Sequence, residues 1–278
     1  SYTQLRRHRH LLDNARFRYA ILDEAQLIKN PKAKVTQACL SISASHRLAL
    51  SGTPIENSAL DLWTIFRFLM PGLLGGRKEL ENNLLSDPDH TAKLLRKQVT
   101  PFVLRRIKSE VATELPPKIE NELPCILNDE QRAEYRKLAE GAIMEHGNNL
   151  HQVFKQAPTH VFSLLTRLRQ VCCDLSLLPW REGFPPSGTK GEILLEKLSD
   201  LTISGSKIIV FSQFTSYLSI LKKRIDEQIP DLKILELTGS TRNRTLPVET
   251  FEKFDGPVVI LASLKAAGLG VTLKSADY

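Results

Sequence analysis

The chain has 278 residues, of which 42% are hydrophobic and 25% charged, with a formal net charge of +7. This is the composition of a globular protein, which excludes a disordered tail, and the length allows two domains. No apolar run reaches 18 residues and no signal-peptide core is present, so we expect neither a membrane span nor secretion. The four cysteines lack zinc-ligand spacing, and we expect free thiols in a reducing compartment.

Positive charge is concentrated in two clusters. Residues 1–34 hold eight Lys and Arg against three Asp and Glu, and residues 93–118 hold seven against two. Such clusters favour a polyanionic partner such as nucleic acid, although a solvated basic surface explains either cluster equally well.

The N-terminal part of the chain alternates strand and helix. RYAILDE (18–24) is typical of a buried parallel strand, and PKAKVTQACLSIS (31–43) predicts a helix with Asn30 as its cap and Pro31 in its first turn. HRLALSGTP (46–54) predicts a second strand. NSALDLWTIFRFLMPG (57–72) predicts an amphipathic helix that stops at its final proline and glycine.

The middle of the chain is helical and more polar. Residues 72–115 predict a helical insert, and residues 115–125, with three prolines, predict an extended linker. A second helical insert is expected over about 128–190, with helices in NDEQRAEYRKLAEGAIMEH (128–146) and TRLRQVCCDLSLL (166–178), followed by a Gly- and Pro-rich loop.

The C-terminal part alternates again. Strands are expected in KIIVFSQF (207–214), LKILELTGS (232–240) and PVVILAS (257–263), separated by helices. The sequence therefore predicts two α/β domains, 1–125 and 126–278, each with a parallel sheet. Ligands of such sheets bind beyond the carboxyl ends of the strands, where all three groups of candidate residues (23–26, 51–54 and 263–270) fall.

Two adjacent carboxylates, Asp23 and Glu24, follow the first strand. One carboxylate can hold Mg²⁺ through water while its neighbour orients an attacking water, but the pair alone could equally be the acidic start of a helix. The longer string ILDEAQLIKN (21–30) resembles motif II, the Walker B box, of the Swi/Snf-type DNA translocases, which are superfamily-2 helicase-like enzymes. The resemblance implies catalytic roles for Asp23, Glu24 and Gln26.

Further segments resemble the same family along the whole chain. LALSGTPIENSALDLWTIFRFLMPGLLG (48–75) is similar to motif III, which implies that Ser51, Gly52 and Thr53 couple the nucleotide site to the second lobe and DNA. Ser1-Tyr2 matches the end of motif Ib. KIIVFSQFTSYLSIL (207–221) resembles motif IV, and VILASLKAAGLGVTLKSADY (259–278) resembles motif V, with Ala267 where the family usually has a glycine.

The resemblance implies two further sets of site residues. Small hydroxyls and backbone N–H groups suit contact with phosphate without reading of bases. The expected nucleic-acid contacts are Tyr2, Ser212, Gln213, Ser240, Thr241, Ser263 and Lys265. Gly268 and Gly270 are expected to let the backbone approach the nucleotide or the cleft.

Two motifs that the family needs do not occur in these residues. A P-loop requires a Gly-Lys dipeptide, which the chain lacks, and the arginine run of motif VI does not occur. We therefore expect a fragment of two RecA-like lobes, both truncated, with helical protrusions between them. Because an arginine finger contributes roughly 10³- to 10⁵-fold to hydrolysis, we expect the 278 residues alone to be inactive as an ATPase.

The resemblance implies that the parent is an ATP- and Mg²⁺-dependent translocase on double-stranded DNA that displaces or remodels bound protein. Alternatives are a non-catalytic DNA-binding or docking module with a degenerate helicase fold, and an RNA-directed superfamily-2 helicase. Backbone contacts rather than sequence-specific ones are expected, because no recognition-helix motif occurs. We expect no membrane partner and a prokaryotic, nucleoid-associated cytoplasmic location rather than a nuclear one.

Overall fold

The computed structural model describes residues 1–12, 15–56, 58–112, 114, 118–146, 158–268 and 271–278. The chain folds into two compact units, Ser1–Lys118 and Ile119–Tyr278. This division falls within the predicted linker, residues 115–125. Within the described residues, no helix is long and apolar enough to cross a membrane.

The first unit is built on two parallel strands and three helices that pack beside them. In chain order they are α1 (Tyr2–Arg7), β1 (Arg16–Leu22), α2 (Lys34–Leu40), β2 (Ser43–Ala49) and α3 (Ala59–Leu69). Strands β1 and β2 pair in parallel, with Leu22 opposite Ala49 at their carboxyl ends. Apolar side chains from the strands, the turn after β1 and the helices form its core: Ala20, Leu22, Ala25, Ile28, Cys39, Ile65 and Phe68.

The helices on either side of β2 show where local capping sets a boundary. Helix α3 begins as predicted, because Ser58 and Asp61 form a capping box. The prediction for α2 was wrong at its start. Asn30 Oδ1 accepts a hydrogen bond from Lys32 N (3.0 Å), which closes a turn around Pro31, and the helix begins only at Lys34.

A helical protrusion follows α3, as predicted for residues 72–115. It contains α4 (Arg77–Ser86), α5 (Pro88–Val99) and the single turn α6 (Lys108–Val111). The boundary between α4 and α5 lies at Asp87-Pro88. Asp87 Oδ1 accepts from His90 N (3.1 Å) and so caps α5, with Pro88 at its first position.

The second unit opens with helices and closes with a three-stranded parallel sheet. Its elements are α7 (Asp129–His146), α8 (Pro158–Cys173), α9 (Thr189–Ile203), β3 (Lys207–Ser212), α10 (Thr215–Gln228), β4 (Lys233–Leu237), α11 (Thr245–Lys253), β5 (Val258–Ser263) and the single turn α12 (Leu264–Ala267). The strand order is β3-β5-β4. All six residues of β5 are buried, which its uninterrupted apolar sequence and its central position between β3 and β4 explain.

Two boundaries among the helices of the second unit differ from the prediction. Helix α8 ends at Cys173 instead of continuing through Leu178, because the buried Asp174 carboxylate accepts from Ser176 N (2.9 Å) and starts a separate 3₁₀ turn. The same Oδ1 accepts from Ser187 N (3.1 Å), which holds the loop before α9 in place. Helix α9 starts inside the predicted loop, at Thr189.

Candidate functional site

In the first unit, the two strand ends bring the predicted carboxylates and the SGT segment to one edge. Leu50 N donates to Leu22 O (2.8 Å), and Ala25 N donates to Leu50 O (2.9 Å), so the parallel pairing continues past both strands. Asp23 and Glu24 therefore lie near Ser51, although they precede it in the sequence by 28 and 27 residues.

A continuous chain of hydrogen bonds links the two segments through Gln26. Gln26 Nε2 donates to Glu24 Oε2 (2.6 Å), and Ser51 Oγ donates to Gln26 Oε1 (2.6 Å). Ser51 Oγ in turn accepts from Thr53 N (3.1 Å). Gln26 is buried, so its amide group needs hydrogen-bond partners inside the protein, and these two bonds provide them. The amide therefore links the position of the Glu24 carboxylate to that of the SGT turn.

The backbone between the two carboxylates has an unusual conformation. Glu24 has φ 51° and ψ 49°, which is a left-handed backbone conformation. Among the described residues other than glycine, Glu24 alone has a positive φ. Glu24 N donates to Asp23 Oδ1 (3.0 Å), and the Tyr2 hydroxyl donates to Asp23 O (2.5 Å). These two bonds hold the peptide group that joins Asp23 to Glu24.

The donor set at this edge suits Mg²⁺ held mainly by water and phosphate. Within the part of the chain that the structure describes, no three His, Cys, Asp or Glu side chains gather into a complete metal site. Asp23 is exposed at the strand end, and Mg²⁺ commonly binds one or two carboxylates together with substrate phosphates and waters. Asp23 is thus the residue of this pair that could hold the ion.

Tyr2 lies at the carboxylate edge of the first unit. Its ring packs partly buried against the core cluster around Leu22 and Ile28. Burial raises the pKa of the Tyr2 phenol to about 12, and the nearby Cys39, Asp23 and Glu24 add to the effect. The hydroxyl is therefore a hydrogen-bond donor at all physiological pH values.

A set of contacts behind this edge was not predicted from the sequence. The Lys29 ammonium forms a salt bridge with the Glu56 carboxylate, which lies beyond the SGT turn. The buried Thr64 hydroxyl, on α3, donates to Lys29 O (3.0 Å). These contacts join the segments after β1 and β2 to α3. The sequence signal that could have indicated them is Thr64, a threonine within a mostly apolar helix.

In the second unit, the predicted hydroxyl residues gather at the carboxyl ends of three neighbouring strands. Ser212, at the end of β3, lies opposite Ser263, at the end of β5. Leu237, at the end of β4, lies opposite Ala262, so Ser240 and Thr241 follow at the same edge. Residues that are far apart in sequence thus share one edge of the sheet.

These residues divide into two groups by what their side chains do. Three of them shape turns: Ser212 Oγ accepts from Phe214 N (3.1 Å), the buried Ser263 Oγ from Ala266 N (3.3 Å), and Thr241 Oγ1 from Thr238 N (3.0 Å). The exposed members are Gln213, Ser240 and Lys265. The side chains of this exposed group are the most accessible of the set to a ligand, although the Ser240 hydroxyl also pairs with Thr238 Oγ1 (2.8 Å).

The turn after β5 tolerates the alanine that replaces a family glycine. Ala267 belongs to α12, a right-handed turn in which alanine is well suited. At Gly268, a Cβ would come within 2.9 Å of Leu264 O, so the close approach of backbone requires glycine there. Gly270 lies outside the described residues.

An open cavity of about 400 Å³ adjoins Ser212 and Gln213. Its wall is mostly apolar, from Phe211, Phe214 and Leu264, and carries the cations Arg169 and Lys190. No sequence pattern predicted this cavity, because helices α8 and α9 contribute its cations from outside the sheet.

Two protein-family models match the chain. A SNF2-related domain matches residues 1–177, and the helicase conserved C-terminal domain matches residues 189–278. The chain belongs to the SNF2-related family. This confirms the Swi/Snf-type resemblance, and the parallel sheets of the two units agree with the predicted α/β class of two RecA-like lobes. The SNF2-related family consists of ATP-dependent, helicase-like enzymes.

Relatives of this SNF2-related chain occur in bacteria and in eukaryotes. An uncharacterised ATP-dependent helicase of Mycoplasma pneumoniae is 34% identical over 100% of this chain and 26% of its own length. The DNA repair and recombination protein RAD26 of Saccharomyces cerevisiae is 30% identical over 100% of the chain and 27% of its own length. The solved SWI2/SNF2 ATPase core of Sulfolobus solfataricus with double-stranded DNA is 30% identical, covers 99% of this chain and 59% of its own, and has a TM-score of 0.47. The chain spans about a quarter of the length of these two curated relatives.

Proposed function

We propose that the protein carrying this chain is an ATP-dependent translocase on double-stranded DNA. The observation that carries the proposal is the hydrogen-bonded path from Glu24 through Gln26 to Ser51, which joins a candidate hydrolysis site to a candidate coupling turn. Because the chain spans 26% of its Mycoplasma relative, the activity is proposed for the whole protein and not for these 278 residues alone.

The residues of the first unit have separate roles in this proposal. Asp23 would hold Mg²⁺, in part through water, and the ion would neutralise charge on the β- and γ-phosphates of ATP. Glu24 orients the attacking water and accepts its proton. Gln26 fixes the Glu24 carboxylate, and Ser51, Gly52 and Thr53 transmit the state of that carboxylate to the rest of the protein.

The second unit would supply contacts with the DNA backbone. Gln213, Ser240 and Lys265 are exposed at one sheet edge and can reach phosphate oxygens. The turns that position the DNA contacts would be shaped by Ser212, Thr241 and Ser263. The backbone would come close to the nucleotide or the cleft at Gly268 and Gly270. Phosphate contacts of this kind position a protein on a duplex without reading its sequence.

The decisive experiment measures ATP hydrolysis by the full-length protein with double-stranded DNA, double-stranded RNA and no nucleic acid. We expect stimulation by duplex DNA and little by duplex RNA. Preferential stimulation by RNA would establish an RNA-directed helicase instead. Absence of hydrolysis under all conditions, with DNA binding retained, would establish a non-catalytic docking module.

Lys265 provides a test of the proposed DNA surface. Replacing Lys265 by alanine should weaken duplex binding about equally for all sequences and reduce the slope of log K against log salt by about one, because one phosphate contact is lost. Filter binding or fluorescence anisotropy at several salt concentrations measures this slope. Lys197→Ala, on the exposed side of α9, is the matched control, and an equal change in both variants would refute a specific contact.

Displacement or remodelling of DNA-bound protein is the proposed outcome of translocation. A prokaryotic location at the nucleoid is proposed as well, and it is supported by the bacterial relatives from two Mycoplasma species. The protein target would then be a DNA-bound factor of such a cell.

A further inference from the structure

The peptide group between Asp23 and Glu24 is held at both of its polar ends. Its carbonyl oxygen accepts the Tyr2 hydroxyl at 2.5 Å, and its N–H donates to Asp23 Oδ1 at 3.0 Å. Rotation of this peptide plane would break both hydrogen bonds together. The plane therefore has one strongly preferred orientation as long as the Tyr2 hydroxyl is present.

That orientation is coupled to the conformation of Glu24. Rotating the peptide plane changes φ of Glu24, which stands at 51°, in a region that residues with a side chain seldom occupy. Without an external restraint, a glutamate at this position would relax towards negative φ. Its carboxylate would then leave Gln26 Nε2, which it now meets at 2.6 Å.

The packing of Tyr2 allows it to restrain the Asp23–Glu24 peptide. It is the first residue of α1, which Ser1 caps through the bond from Gln4 N to Ser1 Oγ (3.5 Å). The ring of Tyr2 and the side chain of Leu5 both pack against the core of the first unit. Because the ring is anchored on one side and the hydroxyl is bonded on the other, Tyr2 has little freedom to release the carbonyl.

We infer that Tyr2 is a positioning residue of the hydrolysis site, whose hydroxyl holds the Asp23–Glu24 peptide and thereby keeps the Glu24 carboxylate on Gln26. The expected fall in ATP hydrolysis rests on the proposed function, whereas the expected change in the conformation of Glu24 does not. It differs from the nucleic-acid contact that the family resemblance implied for this residue, because the hydroxyl is already bonded inside the first unit.

The variant that tests this inference is Tyr2→Phe in the full-length protein, since phenylalanine keeps the packed ring and removes only the donor. We expect kcat of DNA-stimulated ATP hydrolysis to fall about tenfold, which is the effect of losing one well-formed hydrogen bond. The KM for ATP and the Kd for duplex DNA should stay unchanged. Tyr19→Phe is the matched control, because Tyr19 lies on β1 with 58% of its surface exposed and its ring stacks on His46.

Two outcomes would overturn the inference. If Tyr2→Phe weakens DNA binding and keeps kcat at saturating DNA, Tyr2 is a DNA contact. If a crystal structure of Tyr2→Phe shows Glu24 still left-handed and bonded to Gln26, the hydroxyl is not the restraint. The crystal structure also separates this inference from the proposed function. It tests whether the Tyr2 hydroxyl holds Glu24 in place even if the unaltered protein hydrolyses no ATP.

Discussion

Replacing Glu24 by glutamine in the full-length protein is expected to lower kcat for DNA-stimulated ATP hydrolysis at least about a hundredfold, while ATP still binds. Glutamine keeps the length of the side chain, and its carbonyl oxygen can still accept from Gln26 Nε2, as Glu24 Oε2 does now. What is lost is the negative charge that we propose to orient the attacking water and to accept its proton. We expect nucleotide binding to be kept, because the proposed Mg²⁺ contact is made by Asp23 and not by Glu24.

Two measurements separate the effect on chemistry from the effect on binding. Phosphate release at saturating duplex DNA gives kcat, and titration with a fluorescent ATP analogue gives nucleotide affinity. Glu81→Gln, on the exposed surface of α4, is the control for the loss of one carboxylate. Turnover that is unchanged in Glu24→Gln would remove Glu24 from its proposed role.

Replacing Gln26 by leucine is expected to lower DNA-stimulated kcat about tenfold to a hundredfold, with a smaller change in nucleotide affinity. The substitution removes two hydrogen bonds at once, one to the Glu24 carboxylate and one from the Ser51 hydroxyl. Leucine fills most of the buried space, so packing is largely kept. Glu24 and the SGT turn would then move independently of each other.

A double-mutant cycle gives the sharpest test of this linkage. Ser51→Ala alone should reproduce part of the loss, and Gln26→Leu combined with Ser51→Ala should cost clearly less than the sum of the two. Thermal unfolding of each variant shows whether the fold is intact. Gln37→Leu, at an exposed position of α2, is the matched control. Additive effects of Gln26→Leu and Ser51→Ala would show that no linkage exists between them.

The order of strands and helices could be predicted because apolar runs and capping residues act locally. The apolar run over 257–263 predicted strand β5, and the amphipathic pattern over 57–72 predicted helix α3. The failures occurred where a side chain competed with the helix for backbone groups. Asn30 delayed α2 by closing a turn, and Asp174 ended α8 by starting another.

For the candidate site, the sequence by itself determined which residues are proposed to carry the chemistry. Asp23 and Glu24 at a strand end, and the SGTP turn after the next strand, followed from hydrophobic pattern and resemblance. Because parallel strands align their carboxyl ends, the meeting of these two segments at one edge also followed from the sequence.

Only the tertiary structure decided how these residues are held. The bonds from Gln26 to Glu24, from Ser51 to Gln26 and from Tyr2 to the Asp23 carbonyl depend on side-chain directions that no local pattern contains. The left-handed conformation of Glu24 is unfavourable for an isolated glutamate, so local propensity predicts against it. It persists because contacts from α1 and from the turn after β2 stabilise it, and those contacts exist only once the first unit has folded.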